Sequence, residues 1–195
     1  MRAMLRRLRH DVRGATILEF ALVAPVVLLL LLGLMDLSYR LYVQSILAGA
    51  VQRAGRLASL ETGPAALNNI DSAVVGSITA IAPGATWQSS RKSFGDYSKI
   101  GPERFNDANN NGVRDSDECY SDVNGNSRWD ADPGRTGQGG ASDTVLYTMT
   151  ITYPSILPIA YFFGGSNSIQ ATATTVLKNQ PYSTQNAITP VTICT

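Results

Sequence analysis

Residues 14–36, GATILEFALVAPVVLLLLLGLMD, decide how the rest of the chain is arranged. From Ala15 to Met35 the only charged side chain is Glu19. As a helix, this run would be about 31 Å long, which matches the hydrocarbon core of a bilayer. The run is longer than the apolar part of a secretory signal and has no small-x-small cleavage site at its far end. It therefore predicts a membrane helix over residues 15–35.

The leader before this run, residues 1–14, is strongly basic. A basic flank stays in the cytoplasm, so the leader is expected there and the remaining chain is expected to be exported. No basic stripe occurs outside the leader, so nothing indicates a nucleic-acid partner. The leader contains the arginines Arg2, Arg6, Arg7, Arg9 and Arg13.

The distribution of histidine argues against an enzyme. The only histidine, His10, lies in the leader, which excludes Ser-His and Cys-His catalysis and histidine zinc sites from the exported part. There is no P-loop pattern and no G-x-G-x-x-G. A membrane-anchored hydrolase would need a carboxylate or metal mechanism, and we expect no enzymatic activity.

The spacing of Gly14, Glu19 and Phe20 gives the apolar run a more specific meaning. A carboxylate inside an apolar helix costs about 2.5–3.5 kcal/mol at mid-bilayer and usually has a partner. The basic leader with these three residues resembles a type IV prepilin in its small Flp-pilin or TadE-like form. The resemblance implies that a prepilin peptidase cuts between Gly14 and Ala15, and that Glu19, followed by Phe20, meets the terminal ammonium of a neighbouring subunit during assembly. The alternative is an uncleaved signal anchor whose Glu19 lies at the headgroup level.

The helical pattern continues beyond the membrane run, and residues 36–62 are expected to form the exported part of the same helix. Pro25 should kink the membrane part, because proline removes one backbone donor. The alternative is two helices, broken near residues 33–36. The resemblance to TadE-like proteins extends through roughly residues 13–60. It is carried here by Tyr39, Tyr42, Gln44, Ala50, Arg53, Gly55 and Arg56.

Residues 63–178 predict one small exported α+β domain. Apolar spacing favours a second amphipathic helix over residues 65–82. Residues 85–94 are expected to form a strand. Two alternating stretches, 143–153 and 168–178, predict strands that pair as a hairpin-like unit. Residues 154–165 predict a short helix or a hydrophobic tip, and the polar tail 179–195 is expected to be extended. The predicted fold is a long amino-terminal helix packed on a small antiparallel sheet, the plan of a pilin.

The acidic stretch 101–135 contains a calcium-loop pattern. Residues 107–118, DANNNGVRDSDE, fit D-x-[DN]-x-[DN]-G-x₅-E at every fixed position. We call these residues the first loop. Ca²⁺ takes six to eight oxygen ligands, and the loop contains that chemistry. The predicted ligands are the side chains of Asp107, Asn109, Asn111 and Asp115, the carbonyl of Val113 and both carboxylate oxygens of Glu118.

A second copy of this pattern, the second loop, covers residues 122–133. Ser127 replaces the usual glycine and Pro133 replaces the closing glutamate, so we expect a weaker site. Its predicted ligands are Asp122, Asn124, Asn126, Asp130, Asp132 and the carbonyl of Arg128. The flanks lack strong helices, so the ion is expected to fold the loops rather than to signal. Asparagine at several ligand positions lowers the charge of the sites, so the expected affinity is about 10⁻⁴–10⁻³ M. The alternative is a solvated, turn-rich loop.

The two cysteines, Cys119 and Cys194, form no C-x-x-C motif. Export would place them in an oxidising compartment, where a pair persists as a disulfide. We expect this disulfide, which would tie the acidic stretch to the tail. The alternative is two free thiols.

These features together predict a minor pilin or pseudopilin of a tight-adherence pilus system. The expected location is the bacterial inner membrane, as a single-pass protein with its leader in the cytoplasm and its carboxy-terminal domain outside. The resemblance implies three kinds of partner: the prepilin peptidase, other pilin or pseudopilin subunits, and the pilus assembly machinery. The alternative is a single-pass, calcium-stabilised envelope protein for binding or adhesion that never enters a filament.

Overall fold

The computed structural model describes residues 14–60, 64–157, 164, 166–180 and 188–194. The predicted leader before Gly14 and most of the predicted tip at 154–165 lie outside these residues. The chain divides into two compact units. The first contains the described residues up to Tyr42 and those within 155–168, and the second contains the described residues of 43–154 and 169–195.

The elements follow an α+β order, as the sequence predicts. The four-stranded sheet has the order β3-β1-β4-β5, and a second sheet pairs β2 with β6. In chain order the elements are α1 (Ala15–Leu60), α2 (Pro64–Thr79), β1 (Thr86–Phe94), a 3₁₀ turn (Tyr97–Lys99), β2 (Tyr120–Asp122), β3 (Arg135–Thr136), β4 (Thr144–Pro154), β5 (Ser168–Lys178) and β6 (Val191–Ile193).

Helix α1 is continuous through residues 33–36, so the alternative of two helices is not what the structure shows. Pro25 lies within the helix. Among the described residues, this helix is the one that is long and apolar enough to cross a membrane.

The part of α1 that belongs to the second unit packs on the sheet. A stripe of residues three or four apart is buried, which is the pattern of one helix face. Gln44 donates its side-chain amide to the carbonyl of Thr172 on β5 at 2.9 Å. At Gly55 an added Cβ would lie 2.8 Å from the methyl carbon of Thr175, so only glycine allows this approach. The buried stripe is Val43, Leu47, Val51, Ala54 and Ala58.

Strand β4 forms the centre of the sheet and of the core. It pairs antiparallel with β1 in a register that runs from Thr86 opposite Thr152 to Phe94 opposite Thr144. Alternate residues of β4 are buried, as a strand with one face in the core requires. The buried residues are Val145, Tyr147, Met149, Ile151 and Tyr153.

Asp71 of α2 joins that helix to the sheet through a buried polar network. Its carboxylate accepts hydrogen bonds from Tyr147 at 2.6 Å, from Ser89 at 2.8 Å and from the guanidinium of Arg91. Burial raises the pKa of Asp71, but these donors and the charge of Arg91 outweigh it and hold the pKa below its usual value. Burial and the neighbouring Asp71 raise the pKa of Tyr147. The network therefore favours an ionised aspartate and a neutral tyrosine.

The acidic stretch and the tail contain more structure than the sequence predicts. Strands β2 and β6 pair antiparallel, with Tyr120 opposite Ile193 and Asp122 opposite Val191. Short β3 extends the main sheet beside β1. Strands of two or three residues are too short to show an alternating pattern, which is why sequence periodicity does not reveal them.

Candidate functional site

Helix α1 begins directly after Gly14, whose carbonyl accepts the backbone N–H of Leu18 at 3.1 Å. Glu19 and Phe20 lie in the first turns and are exposed, Phe20 by 74%. Among the described residues, none forms a hydrogen bond with the Glu19 side chain. The predicted processing bond therefore lies at the start of the helix, and the predicted assembly residues are open to a neighbour.

The large apolar side chains between Ile17 and Met35 are all exposed, from 38% at Leu32 to 74% at Phe20. An apolar surface of this length is not stable in water, because soluble proteins rarely expose contiguous patches of that size. It requires lipid or other apolar helices around it.

The first loop is organised around Asp107. The Asp107 carboxylate accepts the backbone N–H groups of Asn111 at 3.0 Å and Gly112 at 2.8 Å. The side-chain amides of Asn109 and Asn111 donate to the same oxygen of Asp115, at 2.7 and 2.9 Å. Four of the predicted ligands are thus brought together around one turn.

Glu118 closes the first loop. Its Oε1 accepts the backbone N–H of Ala108 at 2.8 Å, and its Oε2 accepts that of Asp115 at 3.1 Å. The Glu118 N–H donates to the Asp115 carbonyl at 3.2 Å. The residue is only 5% exposed. The closing carboxylate is therefore fixed by backbone at both ends of the loop.

The second loop repeats these contacts with each residue number raised by fifteen. Asp122 accepts the backbone N–H groups of Asn126 at 3.3 Å and Ser127 at 2.7 Å. The side-chain amides of Asn124 and Asn126 donate to one oxygen of Asp130, at 2.7 and 2.6 Å. The second loop therefore has the same internal frame as the first.

Glu103 occupies the place in the second loop that Glu118 has in the first. Its Oε1 accepts the backbone N–H of Val123 at 2.8 Å and its Oε2 accepts that of Asp130 at 3.0 Å. The Glu103 N–H donates to the Asp130 carbonyl at 3.0 Å. Glu103 is 2% exposed. Glu103, which lies outside the motif, thus makes the contacts expected of the motif's last residue, which is Pro133 in this loop.

The backbone of the two loops also matches at the fourth and sixth residues, which are left-handed in both. The φ angles are 58° at Asn110 and 76° at Gly112, and they are 78° at Gly125 and 59° at Ser127. The glycine has changed place between the copies while the turn has stayed the same. Ser127 therefore adopts the left-handed conformation that Gly112 has in the first loop.

The remaining predicted ligands divide into two groups. The carbonyls of Val113 and Arg128, at equivalent positions, accept no hydrogen bond from the described residues. Asp132 instead forms an ion pair with Lys92 of β1 and accepts the backbone N–H of Gly134. The structure thus directs Asp132 toward the sheet rather than into the second loop.

Three carboxylates in this region are buried, those of Glu103, Glu118 and Asp122. None of them forms an ion pair with a described lysine or arginine. Burial raises the pKa of Asp122, but the backbone N–H groups of its own loop outweigh burial and lower the pKa below its usual value. Asp122 is therefore a buried anion at neutral pH, held by neutral donors alone.

The donors of both loops fit a calcium ion by their chemistry. Carboxylate, amide and peptide oxygens are the ligands that Ca²⁺ prefers. Within the part of the chain that the structure describes, no three His, Cys, Asp or Glu side chains are grouped as a ready metal site. The asparagine amides instead donate to Asp115 and Asp130, so each loop is closed by its own hydrogen bonds.

Cys119 and Cys194 are joined by a disulfide, with their Cα atoms 4.2 Å apart. Cys119 follows Glu118 directly, and the bond lies beside the β2–β6 pair. Trp129 donates its indole N–H to the Glu103 carbonyl at 2.9 Å and stands edge-on to Phe105. The disulfide and the aromatic pair together brace both loops.

Comparison with known families identifies the amino-terminal part of the chain. Residues 14–56 match the family model described as TadE-like protein. This segment is TadE-like. The match confirms the resemblance seen in Gly14, Glu19 and the residues that follow, and together with the apolar helix it fits a membrane protein associated with a pilus assembly system. No curated protein and no solved structure matches the chain.

Sequence reasoning missed Glu103 as a residue of the second loop. The signal was present, because Glu103 and Glu118 each stand four residues before the first aspartate of a copy. Aligning the copies from these glutamates extends the repeat to ERFNDANNNGVRDSD and ECYSDVNGNSRWDAD. The family match ends at residue 56, so both loops lie beyond it.

Proposed function

We propose that this protein is a minor pilin or pseudopilin of a tight-adherence pilus system, which assembles through α1. The TadE-like match over residues 14–56 carries this proposal. The exposed apolar helix supports it, since such a surface fits both a bilayer before assembly and a bundle of helices afterwards. Glu19, with no partner among the described residues, is available to a neighbouring subunit.

The processing of the leader tests this proposal. We expect mature protein from cells to begin at Ala15, and we expect Gly14→Val to leave precursor-sized protein in the membrane. The measurement is mass spectrometry of the amino terminus, from cells with and without the prepilin peptidase. Val23→Ala, which lies outside the processing site, is the control and should be cut normally. Wild-type protein that still begins at Met1 would instead support an anchored envelope protein for binding or adhesion.

We also propose that the two loops bind structural Ca²⁺. The matched frames of oxygen donors and the buried carboxylates without cationic partners support this. A bound divalent ion would offset the charge that burial makes costly. Ca²⁺ suits a flexible loop with many oxygens better than Mg²⁺, which requires a tight octahedron.

Calorimetry on the full chain in detergent tests the calcium proposal. We expect millimolar Ca²⁺ to bind with measurable heat, and Asp107→Ala to weaken binding strongly, because Asp107 anchors the first loop. Asp117→Asn removes a carboxylate from an exposed residue of the same loop and should leave the affinity nearly unchanged. Wild-type protein that produces no binding heat would refute the proposal.

A further inference from the structure

The repeat in the acidic stretch begins with a glutamate in both copies, and the two copies meet at these starts. Phe105 and Tyr120 form an antiparallel bridge. The backbone N–H of Asn106 donates to the Cys119 carbonyl, and that of Ser121 donates to the Arg104 carbonyl, both at 2.8 Å. This pairing carries the first residue of each copy to the loop of the other.

We propose that Glu103 is the closing ligand of a calcium site in the second loop, which makes the two loops a reciprocal pair. Glu118, the first residue of the second copy, completes the first loop. Glu103, the first residue of the first copy, completes the second loop. The inference rests on the calcium proposal above and adds a ligand that the motif lacks.

The environment of Glu103 supports this role independently of the repeat. The side chain is 2% exposed, and no described lysine or arginine forms an ion pair with it. Each of its carboxylate oxygens accepts one backbone hydrogen bond, which leaves further lone pairs on both. A buried carboxylate with neutral donors only is costly unless a cation accompanies it. Both oxygens are held in place, as a bidentate ligand requires.

The consequence is that the second loop is complete rather than deficient. Pro133 cannot close it, but Glu103 does so with the contacts that Glu118 uses. Asp132 is not needed, because Lys92 already pairs with it. The proposed ligands of the second site are therefore Asp122, Asn124, Asn126, the Arg128 carbonyl, Asp130 and Glu103.

Trp129 allows the second loop to be observed separately. The chain has two tryptophans, and Trp129 donates its indole N–H to the Glu103 carbonyl. Tb³⁺ replaces Ca²⁺ in oxygen sites and emits when a nearby tryptophan is excited. In a Trp87→Phe background, Trp129 is the only tryptophan and its sensitised emission reports the second loop.

The experiment uses full-length Trp87→Phe protein in detergent. It measures the tryptophan-sensitised emission of Tb³⁺ and, by calorimetry, the heat of Ca²⁺ binding. We expect two Ca²⁺ ions in the parent and a bright Tb³⁺ signal. Glu103→Gln should lose the emission and retain one Ca²⁺, whereas Glu118→Gln should retain the emission and lose the other ion. Asp117→Asn, which removes an exposed carboxylate, should keep both.

Two results would overturn the inference in different ways. Unchanged emission in Glu103→Gln would exclude Glu103 as a ligand and leave the calcium proposal standing. A parent that binds neither ion would refute calcium binding itself, and the Glu103 inference with it. If Glu103→Gln disturbs both loops, Glu103→Asp decides, since it keeps the charge and shortens the side chain. If Glu103→Asp gives weaker Tb³⁺ emission but keeps the heat of Ca²⁺ binding to the first loop, the inference is supported. Emission from Glu103→Asp equal to that of the parent contradicts it.

Discussion

Glu19 is the single polar interruption in a surface that is otherwise apolar from Ile17 to Met35. Replacing it with alanine removes a polar group from lipid, so Glu19→Ala should insert into the membrane at least as well as wild type. In the proposed function Glu19 pairs with the terminal ammonium of a neighbouring subunit, so the variant should nevertheless fail to co-purify with pilin subunits. Leu18→Ala, one residue earlier and also exposed, is the control. Equal recovery of partners by Glu19→Ala and wild type would contradict the assembly role.

The sequence predicts the residues of the first loop but does not predict that Glu103 belongs to the second. The first loop is contiguous, and its spacing alone identifies its predicted ligands. The closing residue of the second loop comes from the other copy of the repeat, through contacts between backbone segments. The calcium-loop motif that starts at Asp122 places its closing glutamate at position 133, where the sequence has a proline. The ion pair between Asp132 and Lys92 could not be predicted for a related reason, because Lys92 lies on a strand distant in sequence.

Gly55 and Gly49 allow the packing of α1 to be tested within one helix. Alanine at either position should favour the helix by about 1 kcal/mol. Gly49 has open space around its Cβ position, whereas a Cβ at Gly55 would lie 2.8 Å from Thr175. Overpacking of this kind costs about 1–3 kcal/mol. We therefore expect Gly49→Ala to raise the melting temperature above that of wild type. The melting temperature of Gly55→Ala should be lower than that of Gly49→Ala, and circular dichroism measures both. Equal stabilisation by both variants would show that α1 does not press on β5.

The elements themselves were predicted to different degrees, for reasons of length and environment. Helix α1 follows a long apolar run with helical spacing after it, and strands β4 and β5 each alternate over eleven residues. These elements and strand β1 were found where the sequence placed them. Strands β2 and β6 are three residues long, and they pair beside the Cys119–Cys194 bond, which joins segments 75 residues apart. Such pairing depends on contacts distant in sequence, which periodicity does not record.

At the level of the whole molecule, Asp71 couples α2 to both β1 and β4. Asp71→Asn would leave the Arg91 charge buried and unpaired, and we expect it to cost about 3–5 kcal/mol at neutral pH. The folded-state pKa of Asp71 lies below its unfolded value, so its contribution is present above about pH 4 and is lost as the pH falls. The gap in unfolding free energy between wild type and Asp71→Asn should therefore narrow below that pH.

Denaturant unfolding of the full chain in detergent at several pH values measures this gap. Asp117→Asn again serves as the control, because it removes an exposed carboxylate and should cost little at any pH. A gap that stays constant from neutral pH down to about pH 2 would show that ionised Asp71 does not hold the domain together.

The exchange of glutamates between the two copies bears on how this segment could have arisen and how it could be moved to another protein. Neither fifteen-residue copy is a self-sufficient module, since each contains one loop and the glutamate that completes the hydrogen bonds of the other loop. Deleting either copy would remove one loop and the closing glutamate of the other loop, so both proposed calcium sites would be lost in a single step. Anyone who grafts a site into a foreign scaffold must therefore transfer residues 103–133 as one block.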